Sequence, residues 1–126
     1  MPQDDDRTTP STTAFDTATA VVRTEGGGLL AELDGGWDVG GGILNGGYLL
    51  SVAGRAAVLE SPHAHPVALS ASYLRAPAAG PVSLVVQPGP GGRTLAHSTV
   101  TLADAGGVAL TVLATTATLG DEPSEY

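Results

Sequence analysis

Apolar and polar positions along the chain change period twice, and the changes divide it into a strand pair, a helix and a run of strands. From Phe15 to Arg23 (FDTATAVVR) β-branched residues dominate, which predicts a strand, with Glu25 to Gly28 as its turn. Leu29 to Leu33 (LLAEL) returns as the second half of a hairpin. Five of the eleven residues from Asp34 to Leu44 (DGGWDVGGGIL) are glycine, so an exposed loop of special shape is expected there rather than a regular element. Loops of that kind often carry function. A helix is predicted from Gly46 to Glu60 (GGYLLSVAGRAAVLE), with Asn45 as its N-cap. Leu49, Val52, Ala53, Ala56 and Leu59 form one apolar stripe, and Leu50, Ala57 and Val58 spread it further around, as in a buried helix. Ser61 to Pro66 (SPHAHP) ends it through its two prolines.

Four more strands follow: Val67 to Arg75, Pro81 to Gln87, Arg93 to Ala103 and Val108 to Leu119. The breaks between them are Ala76 to Gly80, the PGPGG stretch and Asp104 to Gly107. The order β-β-α-β-β-β-β predicts an α+β domain over residues 14–119. Residues 1–13 and 120–126 are expected to be solvated, disordered acidic tails.

Composition narrows the possibilities. A chain of 126 residues suits one domain. With 42% apolar residues, 18 glycines and only five aromatics, the interior must be filled by Val, Leu and Ala at close backbone spacing. The absence of cysteine excludes disulfides, thiolate metal sites and thiol nucleophiles. Met1 to Pro10 holds no apolar run, so neither a secretory signal nor a membrane span is expected, and the expected location is the cytoplasm. The net charge is −8, from five arginines, no lysine and thirteen acids, which argues against nucleic acid as a partner. Six of those acids lie in the tails; residues 14–119 hold seven acids and four arginines.

Three stretches carry a family resemblance. GGWDVGGGILNGGYLLSVAGRAA is an aromatic, glycine-rich approach to a GGY-type helix start, HPVALSASYLRAPAAGPVSLVV leads through a corner into a Gly-Pro-led strand, and GGRTLAHSTVTL is a G-R-(S/T) hairpin. Together, in this order and spacing, they resemble the first hotdog repeat of the acyl-CoA thioesterase II (TesB-like) family. The resemblance spans Phe15 to Leu119 and implies a hotdog fold, a long central helix wrapped by a curved antiparallel sheet. It also implies binding of an acyl-CoA thioester at a subunit interface of a homodimer or homotetramer, and hydrolysis by activated water. The chain departs from the family in two ways. Family members usually carry two repeats, and by resemblance the Asp, Ser/Thr and Gln that position the water lie in the second. Another branch, of single-domain hotdog thioesterases, places His-Gly-Gly at the helix start and a carboxylate further along. Here Asn45 takes the place of that His, and Val52, Gly54 and Arg55 stand where the acid is wanted. A catalytically silent acyl-CoA-binding or structural hotdog is therefore the rival reading. A hotdog acyl-thioester dehydratase is the third, and it lacks a well-placed His and acid.

The candidate site residues follow. Asn45, Gly46, Gly47 and Tyr48 open the helix, and the amides of Gly47 and Tyr48 are placed to hold a thioester oxygen as it gains charge. The bland alternative is that Asn45 only caps and the glycines only permit close packing. Asp38 is the nearest loop carboxylate for orienting or deprotonating water, or else it is merely solvated. Trp37 reads as a hydrophobic plug. Arg75 and Arg93 suit the phosphates of CoA, or else form surface ion pairs. His63, His65 and His97 do not make a metal site, because HAH between prolines alternates sides and lacks a third ligand. Ser70, Ser72, Thr94 and Ser98 have no His/Asp context for a serine nucleophile. No cofactor is expected.

Overall fold

The segment predicted as the first strand folds as two elements, a one-turn helix and a shorter strand. The structure, a computed structural model, describes residues 13–40, 42 and 44–118; both acidic tails, apart from Thr13, and the predicted strand end at Leu119 lie outside them. Helix α1 is Ala14–Ala18, opened by a capping box in which Thr13 Oγ1 accepts from the Asp16 amide at 3.0 Å while the Asp16 carboxylate accepts from the Thr13 amide. That reciprocal pairing satisfies two end donors and overrides the strand preference of the threonines. Strand β1 keeps only Val21–Arg23. β2 is Leu29–Leu33, whose alternate residues Leu29, Ala31 and Leu33 are buried.

Helix α2 runs Gly46–Leu59, with Asn45 as N-cap and Glu60 as C-cap. After it come β3 (His65–Tyr73), β4 (Gly80–Gly91), β5 (Leu95–Asp104) and β6 (Gly107–Ala117). All six strands form one antiparallel sheet in the order β1-β2-β4-β5-β6-β3, so β3 is an edge strand. The sheet curves around α2, which packs on β1, β3, β4, β5 and β6.

Among the later strands, β3 is displaced by two residues towards the N-terminus at both ends, and β4 and β5 differ most at their shared hairpin. PGPGG is not a turn in its entirety: β4 continues through Gly91, with a register shift between Pro88 and Gly91 where the prolines supply no ladder donor. The hairpin tip shrinks to residues 92–94, and β5 starts at Leu95 rather than Arg93. β3 already includes His65 and Pro66, which an edge strand with a bulge next to the proline accommodates.

The core lies between α2 and the concave sheet face. Val52, Ala53, Ala56 and Ala57 have no solvent exposure, nor have Val100, Leu102, Leu110 and Val112 opposite. Alanine at 53 and 57 lets the helix axis approach the sheet closely. Leu59 departs from the predicted stripe: it is 44% exposed, in the last turn of α2, on the wall of an open groove.

Candidate functional site at the start of α2

The glycine loop is folded back on itself and delivered to the helix start. Asp38 pairs with Leu44 in an isolated antiparallel bridge, and the Asn45 amide donates to Trp37 O at 2.9 Å. The Asp38 carboxylate accepts from the amides of Gly40 and Gly42, the latter at 2.9 Å. Asp38 therefore lies beside Asn45, exposed, with its charge held by loop N–H groups.

At the helix start, Asn45 Oδ1 accepts from the Gly47 amide at 2.7 Å and from the Tyr48 amide at 3.2 Å. Two of the orphan donors of the first turn are thus capped. The Gly46 amide has no hydrogen-bond partner among the described residues. Gly46 O accepts from the Tyr73 hydroxyl at 2.9 Å, and a Cβ on Gly46 would lie 3.3 Å from that oxygen. Tyr73 is thus a neighbour of the helix start that the sequence did not single out; its position at the end of the strand after the helix was the available signal.

Tyr48 is buried as far as its hydroxyl, which accepts from the Asp34 amide and donates to Ala18 O, both at 2.8 Å. Burial raises its pKa above the ordinary tyrosine value, so the ring keeps its proton. Trp37 stacks on Tyr48 at 5.7 Å and meets Phe15 edge-on at 5.2 Å. The aromatic trio seals the loop base to α1 and α2, the plug expected of Trp37.

The two candidate arginines lie at opposite ends of α2. Arg75 follows β3 and pairs with Asp104 through both terminal nitrogens, and it also donates to Gly107 O at 2.8 Å. Asp104 accepts in addition from the amides of Ala78 and Gly106. The guanidinium, with those amides, holds the Asp104 carboxyl down at about 2. Arg75 is thereby committed to a corner of the fold. Arg93, at the exposed tip of the β4–β5 hairpin, has no side-chain partner among the described residues. Its neighbour Gly92 contacts His63, just past the C-terminal end of α2, a helix of 14 residues and so about 21 Å long.

His63 is buried, whereas His65 and His97 are exposed. Among the described residues no three His, Asp or Glu side chains gather as a metal site requires. Where a helix carboxylate is wanted, Arg55 is exposed and pairs with Asp16 of α1 at 3.0 Å.

Two cavities flank α2. The larger, about 520 Å³, is an apolar groove lined by Val21, Ser51, Gly54, Val58, Leu59 and Leu69 among others. Its lining residue nearest the helix start is Ser51, whose hydroxyl donates to Gly47 O at 3.0 Å, one turn into α2. The other, about 330 Å³, lies beneath the β4–β5 hairpin and is lined by Ser61, Gly91, Gly92, His97 and Thr116 among others.

Residues 33–120 match the acyl-CoA thioesterase N-terminal domain. The chain belongs to that family. A thioesterase II from Thermobifida fusca is 37% identical and superposes with a TM-score of 0.81, over 89% of this chain and 42% of its own. A hotdog-fold protein from Alicyclobacillus acidocaldarius is 23% identical, with a TM-score of 0.74, over 92% of this chain and 44% of its own. A Streptococcus mutans protein solved with acetyl-CoA is 18% identical, with a TM-score of 0.66, over 82% of this chain and 90% of its own. The chain thus spans less than half the length of the first two and most of the length of the third. No protein of curated function matches it. The helix wrapped by six antiparallel strands is a hotdog fold. No described helix is long and apolar enough to cross a membrane.

Proposed function

We propose that this TesB-like hotdog domain binds an acyl-CoA thioester at the start of α2 and hydrolyses it with an activated water. The observation that carries the reading is the nearness of that helix start to the apolar groove, whose first lining residue on α2, Ser51, lies one turn away and donates its hydroxyl to Gly47 O. A thioester oxygen at the Gly46 and Gly47 amides leaves the acyl chain to run along Gly54, Val58 and Leu69. Among the described residues the Gly46 donor is open, and the thioester oxygen displaces Asn45 Oδ1 from the Gly47 and Tyr48 amides as it gains charge. Asp38 orients the water from the adjoining loop. Arg93 meets the phosphates of CoA, while Arg75 is occupied by Asp104 and serves the fold. The names of the Thermobifida thioesterase II and of the acetyl-CoA-bound Streptococcus protein agree with this substrate class.

Asn45 and Arg93 lie at opposite ends of α2, so one copy does not bring them together. Pairing of two β3 edges about a two-fold axis runs the helices antiparallel and sets the Arg93 tip of one copy towards the α2 start of the other. Among the described residues β3 is exposed along most of its length and unpaired on one side, a liability that such pairing removes. The working form is accordingly a homodimer or homotetramer, in the cytoplasm.

A specific observation favours a second reading, a binding module without turnover: the Gly47 and Tyr48 amides are capped, and the Asp38 carboxylate is taken up by loop amides. Thiol release from a panel of acyl-CoAs separates the two. Turnover above background supports hydrolysis, saturable binding without release supports the silent module, and no binding of any acyl-CoA refutes both.

A further inference from the structure

Residues 92–95 form the tip of the β4–β5 hairpin. The Gly92 amide donates to Leu95 O at 2.7 Å, but among the described residues no bond returns from the Leu95 amide to Gly92 O. The Gly92 carbonyl accepts instead from His63 Nε2 at 3.0 Å. A carbonyl only accepts, so Nε2 carries the proton, and in the neutral ring Nδ1 accepts from the Thr118 hydroxyl at 3.2 Å. The backbone is fixed too: the His63 amide donates to Ser61 Oγ at 3.0 Å, and that hydroxyl contacts Thr116 Oγ1 at 2.7 Å. His63 is 6% exposed and its ring is held on both edges, so it presents one N–H, in one place, to the carbonyl before Arg93.

We propose that His63 is the positioning residue for Arg93: by taking the carbonyl that would otherwise close the turn, it sets the hairpin tip so that the guanidinium meets the phosphates of CoA. The inference rests on the reading of Arg93 as a phosphate contact. It predicts an effect confined to the phosphate-bearing part of the ligand, whereas a merely structural role would weaken every ligand alike.

The test compares two non-hydrolysable probes by titration calorimetry, hexyl-CoA thioether and hexyl-pantetheine thioether, the second lacking the nucleotide phosphates. Arg93→Ala and His63→Met are each expected to weaken the CoA probe about tenfold, as loss of a charge-assisted contact does, and to leave the pantetheine probe unchanged. The double variant should lose no more than either single one, because both remove the same contact. His63→Gln, which keeps an N–H donor near the Nε2 position, should retain wild-type affinity. A second readout needs no variant: in the wild type, the His63 Nε2–H resonance should shift as the CoA probe saturates and stay fixed with the pantetheine probe. If Arg93→Ala weakens the CoA probe while His63→Met does not, or if His63→Met weakens both probes alike, the positioning role is overturned. It is overturned equally if the His63 resonance ignores both probes. If Arg93→Ala leaves the CoA probe unaffected, it is the phosphate reading of Arg93 that fails, and the inference with it.

Discussion

Removing the Tyr48 hydroxyl separates what this residue does for the fold from what its backbone does for the site. In Tyr48→Phe the ring still stacks on Trp37, but the Asp34 amide and Ala18 O lose the hydroxyl that bridges them at 2.8 Å each. A buried polar group left unpaired costs about 1–3 kcal/mol. Asp34 is exposed, so its amide can turn to water at little cost, whereas Ala18 is 5% exposed and its carbonyl is left without that partner. The expected loss is therefore about 2 kcal/mol, one full penalty rather than two, or roughly 10 °C in Tm for a domain of this size. Urea unfolding followed by the fluorescence of Trp37, the single tryptophan, measures it directly, with m unchanged. Thiol release should stay within about twofold of wild type, because the Tyr48 amide is untouched. A loss below about 0.5 kcal/mol would refute the buried-bridge argument. Wild-type stability with turnover abolished would show the hydroxyl itself to be catalytic.

Gly47→Pro removes an amide from the proposed oxyanion contact and should lower turnover about 10²- to 10³-fold; stability should fall by only about 1 kcal/mol, since the first helical turn tolerates proline and one cap bond is lost. Asp38→Asn removes the charge and keeps an acceptor for one of the two loop amides, so hydrolysis should slow at least about tenfold with thioether-CoA affinity unchanged; an unaltered rate would clear Asp38 of handling the water. Ala53→Leu or Ala57→Leu, at positions with no exposure, should overpack the helix–sheet contact and cost about 1–3 kcal/mol in thermal unfolding. Asp104 has its pKa lowered from 3.8 to about 2, so its contribution to stability is present above 3.8 and lost as pH falls through about 2. Asp104→Asn should flatten the acid limb of the stability profile in that window, and an unchanged limb would contradict the clasp with Arg75.

The parts of the fold that were legible in sequence are those governed by neighbours. Asn45 followed by two glycines and an apolar stripe specifies a capped helix start, and the structure has Asn45 Oδ1 on the Gly47 and Tyr48 amides. FDTATAVVR misled because its threonines and valines favour strands, while the signal that prevails, Thr13 three residues before Asp16, lies at its edge. PGPGG carries turn chemistry, yet pairing with β5 continues past Pro88 to Gly91, a long-range preference that the local pattern does not show. His63 was invisible as a structural residue because its ring partners are Gly92 and Thr118, 29 and 55 residues away. The commitment of Arg75 to Asp104 depends likewise on a partner 29 residues away. At the candidate site, then, the capped helix start was readable, whereas the exchange of that cap for a ligand was not, because capping and ligand binding use the same amides.

Those amides are the most direct place to test the account. Titrating ¹⁵N-labelled wild-type protein with hexyl-CoA thioether and following the backbone amides of Gly46, Gly47 and Tyr48 reports on the proposed oxyanion contact without any need for turnover. Saturable shifts at Gly46 and Gly47, accompanied by shifts at Gly54, Val58 and Leu69 along the groove, are the predicted result. Saturation of the ligand with these amides unmoved and the shifts gathered elsewhere on the domain would contradict the placement of the site.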